Sequence, residues 1–405
     1  MAENLKDGKG ITPHRPGVVC TNLYPTRADP MRGSFNRQQF SHLGRLHELL
    51  ILVPTAKRWP CRPRARREAP RDPHRDGPEV TNYRVWHPPL VGRWSNARIL
   101  YLTTRIFLAG ELRAKQPHYI LGSFAYPDGV AAALLARWLG VPAFIKVHGS
   151  DINLMADGGP RGRQIRWALR RVDGVIAVSR ALVDRVTSLG ADPRNTLLLY
   201  NAVDRELFRP KNRSVCRRRL HLPDGRHSLL YVGNLKREKG VMDLAEAFFQ
   251  MAAEDRDLDL EIVGTGPLER ELEARVTAKG LGRRIHLHGS RPHEEIAEWL
   301  GACDVLCLPS HAEGVPNVVL EALASGRPVV STRVGGVAEV LSERAGKLVE
   351  PGEPQALASA IRQVLSAEWP AEELSRTLVA SDWPENARLL SQFIETRCNR
   401  IRTGS

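Results

Sequence analysis

Short apolar runs, each followed by a stretch with helical spacing, recur along most of this chain, and that alternation restricts it to parallel sheets covered by helices. In the first half the expected strands are VVCTNLY, ELLILVP, VTNYRVW, HYILGSF, PAFIKVHG, GVIAVS and TLLLYN. SFNRQQFSHLGRL, the long NARILYLTTRIFLAGELRAK and DGVAAALLARWLG are candidate helices between them. A second series repeats the pattern, with strands HSLLYVGN, LDLEIVG, RIHLHG, DVLCLP, RPVVST and GKLVE. Residues 204–226 carry prolines and arginines without a sustained period and read as a crossover. The expected organisation is therefore two doubly wound α/β domains, 1–203 and 227–383, a linker over 204–226, and a last helix over 384–405 that returns to the first domain. Two such sheets in tandem would leave a cleft between their carboxyl edges, where ligands of open sheets bind.

Hydrophobic residues make up 42% of the chain and charged ones 26%, which argues against disorder, and no apolar run approaches the roughly 18 residues of a membrane span. MAENLKDGKG has no leader-like apolar core, so the expected location is the cytoplasm. The six cysteines form no C-x-x-C pair and the histidines do not cluster around them, so no metal site is expected; Cys303 and Cys307, in CDVLCLP, read as buried thiols. A net charge of +14 implies anionic partners. Arg58, Arg62, Arg64, Arg66, Arg67, Arg71 and Arg75 crowd one loop, and Arg161, Arg163, Arg166, Arg170 and Arg171 another segment. Without RNA-reading aromatics, a zinc finger or a helix-turn-helix signature, nucleic acid is not the expected partner.

The turns of the second half carry the candidate chemistry. YVGNLKREKG ends a strand at Val232 and Gly233, with Asn234 next, and supplies Lys236, Arg237 and Lys239, which read either as a phosphate clamp or as a solvated basic loop. In EIVGTGPLERE, Gly264 and Gly266 allow close backbone approach, but a third glycine and a ribose-binding acid are missing for a dinucleotide fingerprint. SHAEGVPNVVLEALASG places Glu313 before and Glu321 within a helix expected to start at Val315. A helix start attracts anions, so carboxylates flanking it suit a ligand charged in its middle and hydroxylated at both ends, such as a nucleotide-sugar. The other reading is that Glu313 only complements the helix dipole and Glu321 is solvated.

Taken in order, VGN...EKG, GTGPL, HGSRPHEEI and CDVLCLPSHAEGVPNVVLEALASGRPVVSTRVGGVAEV closely resemble the donor half of family 4 retaining glycosyltransferases. YPTRADPMRGSF, KVHGSDIN, VSRALVDRV and NAVDRELFRP resemble the first-half segments of that family. The resemblance covers nearly the whole chain and implies the GT-B fold of two Rossmann-like domains. It also implies transfer of a sugar from a nucleotide-diphosphate donor, UDP or GDP type, with retention and without a metal or other cofactor. Glu321 would then hold the ribose, Glu313 the donor sugar and Lys239 the diphosphate, with Gly314, Val315, Pro316 and Asn317 beside phosphate and sugar. Arg291, with Gly289 and Ser290, would lie near the base; the Gly33 loop would close over the diphosphate, and His148 would reach the sugar. Asp151 reads as a cap.

One departure stands out. The family commonly has arginine where this chain has Asn234, and Lys236, Arg237 or Arg32 would have to supply the missing charge. The acceptor is expected to be a carbohydrate or polyprenyl-linked sugar of cell-surface polysaccharide synthesis. Basic residues beside Trp94, Ile99, Leu102, Ile106 and Phe107 suit an anionic membrane surface, or equally a packed helix with solvated arginines. Alternatives within the same fold are a sugar-nucleotide epimerase and a non-catalytic member of an assembly complex.

Overall fold

The computed structural model describes residues 16–26, 29, 32–57, 65–68, 78–86 and 93–403. These fall into two compact units: residues up to 177, 183–199 and 383 onward form the first, and 178–182 with 200–382 form the second.

The first unit is built on β1 (Gly17–Cys20), β2 (Leu49–Lys57), β3 (Ala65–Glu68), β4 (Glu79–Trp86), β5 (Tyr119–Ser123), β6 (Ala143–Val147), β7 (Gly174–Ala177) and β8 (Thr196–Leu198). They lie in the order β3-β4-β2-β1-β5-β6-β7-β8, parallel except for β3, which pairs antiparallel with β4. The second unit holds β9 (His227–Val232), β10 (Leu258–Val263), β11 (Ile285–Leu287), β12 (Val305–Leu308), β13 (Val329–Thr332) and β14 (Gly346–Val349), all parallel, ordered β11-β10-β9-β12-β13-β14. Each expected strand is present because its apolar run is buried: Val19, Ile51, Leu121 and Phe144 in the first sheet, and Leu229, Leu260, Leu306 and Val330 in the second, are fully or almost fully enclosed. Cys303 and Cys307 are buried free thiols, and burial pushes the Cys303 thiol up to about 12.

The last helix, Trp383–Thr403, packs on the first unit through Leu390 and Ile394. Gln39 donates to Asn386 at 2.6 Å, and His47 meets Ser391 at 2.8 Å, so this return is specified by buried polar pairs as well as by apolar contact.

Four expectations need correction. Residues 204–226 are not a free linker: they contain the helix Arg213–Leu220, whose fully buried Arg217 bonds Asp304 at 2.9 Å and several carbonyls of the second unit. Arginines read as linker polarity are there structural ties. The long helix over 96–115 divides into Asn96–Phe107 and Ala109–Lys115. Leu108 leaves helical geometry (φ −118°, ψ 9°) as its side chain enters the core, and Gly110 follows it. Part of the arginine-rich loop is β3; Arg58, Arg62, Arg64, Arg71 and Arg75 lie outside the described residues. Finally, the helix after Glu313 starts at Asn317, not Val315, because a residue before proline is kept out of the helical region and Pro316 itself is extended (φ −70°, ψ 126°).

Candidate functional site

The strand order of the second unit, read by position in the chain, is 3-2-1-4-5-6, so the sheet reverses direction between β9 and β12. Connections leave these two neighbouring strands toward opposite faces, which opens a crevice at their carboxyl ends. The turn after β9 carries Gly233, Asn234, Lys236, Arg237 and Lys239; the turn after β12 carries Ser310, Glu313, Gly314, Val315 and Pro316.

These turns touch. Gly240 adopts φ +66°, and a Cβ there would lie 1.8 Å from the Pro309 carbonyl oxygen, so only glycine lets the two loops approach this closely. The result is a short ion pair: Lys239 Nζ lies 2.6 Å from Glu313 Oε1, which also accepts from the Ser310 hydroxyl at 2.7 Å. Glu313 is 8% exposed at its side chain and Lys239 26%, so the carboxylate is fixed and the ammonium keeps a face to solvent. His311 adds a second tie, from its amide to the Glu238 carbonyl and from its ring to Asp243 at 2.7 Å.

Glu321 is buried on the helix Asn317–Ala324 and bonds His293 Nε2 at 2.8 Å. Burial alone would lower the His293 pKa, but the hydrogen bond and charge of Glu321 raise it above its ordinary value. Glu321 is therefore neither solvated nor a dipole partner. Asn317 at the same helix start accepts from the Asn201 amide at 2.9 Å, and the backbone ladder begins with the Val319 amide on the Pro316 carbonyl.

Gly264 and Gly266 have a reason inside the protein. A Cβ on either would strike the Gly233 or Leu235 carbonyl, at 1.9 and 2.4 Å, so the turn after β10 supports the turn after β9. Arg291 is half-exposed, 3.8 Å from Glu295. Asn234 is exposed, its carbonyl held by the Tyr231 hydroxyl at 3.0 Å, while Lys236 and Arg237 face solvent.

Gly33 and His148 belong to the first unit, where the sheet reverses between β1 and β5. Gly33 begins the helix Ser34–Leu43 at φ +61°, with its Cα against the Leu23 carbonyl. His148 follows β6 with its ring between Phe124, stacked at 5.8 Å, and Phe35, tilted at 5.1 Å. Asp151 accepts from the amides of Ala125, His148 and Gly149, at 2.7, 3.0 and 2.9 Å, so it fixes this turn to its neighbour.

The tautomer of His148 follows from counting protons. Asn36 Nδ2 donates to the Leu23 carbonyl, which points Asn36 Oδ1 at Ser123. The single Ser123 hydroxyl proton goes to that oxygen at 3.0 Å, so Ser123 Oγ must accept from His148 Nε2 at 3.1 Å. Burial and the charge of Lys146 hold the imidazole well below its ordinary pKa. A neutral ring protonated on Nε2 offers Nδ1 as a lone pair.

The structure thus brings Lys239 and Glu313 together, with Gly314, Val315 and Pro316 leading from Glu313 to the helix start at Asn317, while Glu321 pairs separately with His293. Sequence reasoning passed over Ser310, His293, Ser123 and Asn36. Ser310 opens the stretch that carries Glu313 and could have been found there; the others are far from their partners in the chain and left no local signal.

Comparison with known proteins shows the family and the fold. Residues 226–367 match the family described as glycosyl transferases group 1, and residues 41–207 match glycosyltransferase family 4. A Bacillus subtilis (strain 168) chain named for a teichuronic acid biosynthesis glycosyltransferase, TuaC, is 28% identical over 93% of this chain and 97% of its own length. Sucrose-phosphate synthase from Thermosynechococcus elongatus superposes with a TM-score of 0.78 at 21% identity over 97% of this chain and all of that one. The Anabaena HepE protein in complex with UDP-glucose gives 0.66 at 19% identity, covering 96% of this chain and all of that one. The fold and the family matches define a glycosyltransferase of the GT-B class. Within that class, the chain belongs to the group 1, family 4 glycosyltransferases.

Proposed function

We propose that this protein transfers a sugar from a nucleoside-diphosphate donor to a lipid-linked or carbohydrate acceptor in cell-surface polysaccharide synthesis, with retention at the anomeric carbon. The observation that carries the reading is the Lys239–Glu313 pair at the sheet reversal of the second unit. Lys239, with amides at the start of the helix Asn317–Ala324, is suited to a diphosphate; Glu321, oriented by His293, is suited to ribose hydroxyls. Glu313 accepts from sugar hydroxyls, and Arg291 serves the base. Arg237 and Lys236 supply the charge that Asn234 lacks.

In this reading the bond from the anomeric carbon to the diphosphate oxygen breaks, the acceptor oxygen bonds that carbon on the same face, and its proton passes to the departing phosphate. The protein contributes electrostatic stabilisation at the leaving group, where loss of one donor typically costs on the order of 10² to 10³ in rate. His148 Nδ1, a neutral acceptor, is suited to a sugar hydroxyl, and the helix start at Gly33 to a phosphate oxygen. The TuaC relative supports a surface-polymer acceptor. Exposed Trp94, Leu102, Ile106 and Phe107, mixed with arginines, support a peripheral position on the inner face of the membrane; none of the described helices is long and apolar enough to cross one.

A thermal-shift panel of UDP, GDP and ADP with their sugars tests the donor class, because a ligand of the native state raises Tm by mass action. One nucleotide series should stabilise the wild type and not Lys239→Met. No stabilisation by any of them, or equal stabilisation of the variant, would overturn the assignment.

A further inference from the structure

The first unit holds a cavity of about 470 Å³ that none of the donor chemistry uses. It lies between the turn Arg93–Ser95, the helix Asn96–Phe107, the helix Val130–Leu139 and the helix Gly159–Leu169. Trp94, Trp167, Val130 and Leu134 form apolar wall, and Arg98 and Arg163 stand among them. Among the described residues, no carboxylate lines it. We propose that this cavity, with the strip of helix leading away from it, binds the isoprenoid chain and phosphate of a lipid-linked acceptor. The proposal rests on the lipid-linked version of the acceptor given above and assigns it a place.

Arg98, Leu102 and Ile106 recur every fourth residue along one side of the helix Asn96–Phe107, and Trp94 stands in the turn just before it. Trp94 is 44% exposed, Leu102 48% and Ile106 68%, with Phe107 beside them at 50%. One exposed leucine is ordinary, but a stripe of large apolar groups continuous with a cavity marks a binding surface. The helix of 12 residues is about 18 Å long at 1.5 Å per residue, which suits an extended hydrocarbon chain.

The cations fix the other end of the ligand. Arg98 and Arg163 are exposed at the cavity, and Arg171 lies over the Trp167 ring at 5.3 Å. A phosphate monoester or diester complements them. Gln164 adds a polar contact: its Nε2 is committed to the Trp94 and Pro160 carbonyls, at 2.8 and 3.1 Å, and its Oε1 is buried without a hydrogen-bond partner. Tryptophan and arginine would also suit an anionic glycan alone. Leu102, Ile106 and Phe107 decide between the two, since they offer nothing to sugar hydroxyls and burying hydroxyls against them is costly.

The test uses the full chain and geranylgeranyl monophosphate below its aggregation concentration, with calorimetric titration as the readout. Geranylgeraniol and inorganic phosphate should each bind at least tenfold more weakly than the lipid phosphate. Arg98→Glu with Arg163→Glu should weaken lipid-phosphate binding at least tenfold, and Leu102→Asn with Ile106→Asn at least threefold, with UDP affinity unchanged in both. All four positions are exposed or at a helix surface, and unchanged melting curves confirm folding. Wild-type affinity for the lipid phosphate in either variant, competition between it and UDP, or equal binding of inorganic phosphate overturns the proposal. A chain that binds the lipid phosphate here but no nucleoside diphosphate keeps this site and loses the transferase reading.

Discussion

Glu313→Gln removes a negative charge and keeps the shape of the side chain. In the protein as it stands the carboxylate is nearly buried, takes the Ser310 hydroxyl at 2.7 Å and lies 2.6 Å from Lys239. A diphosphate drawn to Lys239 must approach that carboxylate. Two unit charges about 4 Å apart repel by about 1 kcal/mol in water and about 4 kcal/mol at the effective dielectric of a protein surface. Lys239 retains a solvent face, so the lower figure applies, and about 1 kcal/mol is roughly fivefold in affinity. UDP without its sugar should therefore bind Glu313→Gln about fivefold more tightly than wild type. Transfer should nevertheless fall on the order of 10² to 10³, because the substituted amide no longer supplies charge to the transition state.

Lys239→Met should behave in the opposite way toward UDP, weakening it by about two orders of magnitude. It also strands Glu313, so the protein itself should lose stability; the 3–5 kcal/mol typical of a broken buried pair is an upper bound because the lysine is partly exposed. In the double variant the stranded charge is gone, so stability should recover while UDP affinity does not. Calorimetry with UDP and a coupled transfer assay measure both. Tenfold weaker UDP binding by Glu313→Gln would refute the reasoning, since the carboxylate would then serve to hold Lys239 in place rather than to meet the sugar.

Gly240→Ala should lower stability by about 3 kcal/mol or more, read from denaturant unfolding, because it combines a left-handed backbone with a 1.8 Å approach to the Pro309 carbonyl. An unchanged midpoint would mean that the two turns are not locked together. The raised pKa of His293 makes its bond to Glu321 stabilising while the ring is protonated, fully so below about pH 6.5 and lost as pH rises through the folded value. The stability difference between wild type and His293→Gln should accordingly shrink as pH rises above about 6.5; a constant difference contradicts that sign. Ser123→Ala frees the His148 tautomer, so nitrogen NMR should show loss of the pure Nε2-protonated form, and transfer should fall about tenfold. Retention of one tautomer would place its control elsewhere. Asn234→Arg should leave nucleotide binding unchanged, because Arg237 and Lys236 already provide the charge at that turn; clearly tighter binding would show that they do not.

How much of this was legible depends on the distance over which each feature is written. Strands such as HSLLYVGN and PAFIKVHG declare themselves because a buried parallel strand needs a continuous apolar run, and that run is local. The turn residues Lys239 and Glu313 are legible for the same reason, each lying a few positions past such a strand. Helix limits were harder: Pro316 moved one start by two residues and Leu108 broke another helix, both through backbone geometry that periodicity does not record. The arginines of 204–226 looked like solvent-facing linker charge because nothing near Arg217 announces Asp304, 87 positions away. His293 on Glu321, 28 positions apart, and Asn36 on Ser123, 87 apart, were invisible for the same reason. Local sequence thus names the groups proposed to meet the ligand, whereas the groups that set their protonation and orientation are chosen by topology. The order 3-2-1-4 is what puts the turn after β9 beside the turn after β12, and with it a lysine beside a glutamate 74 residues further on.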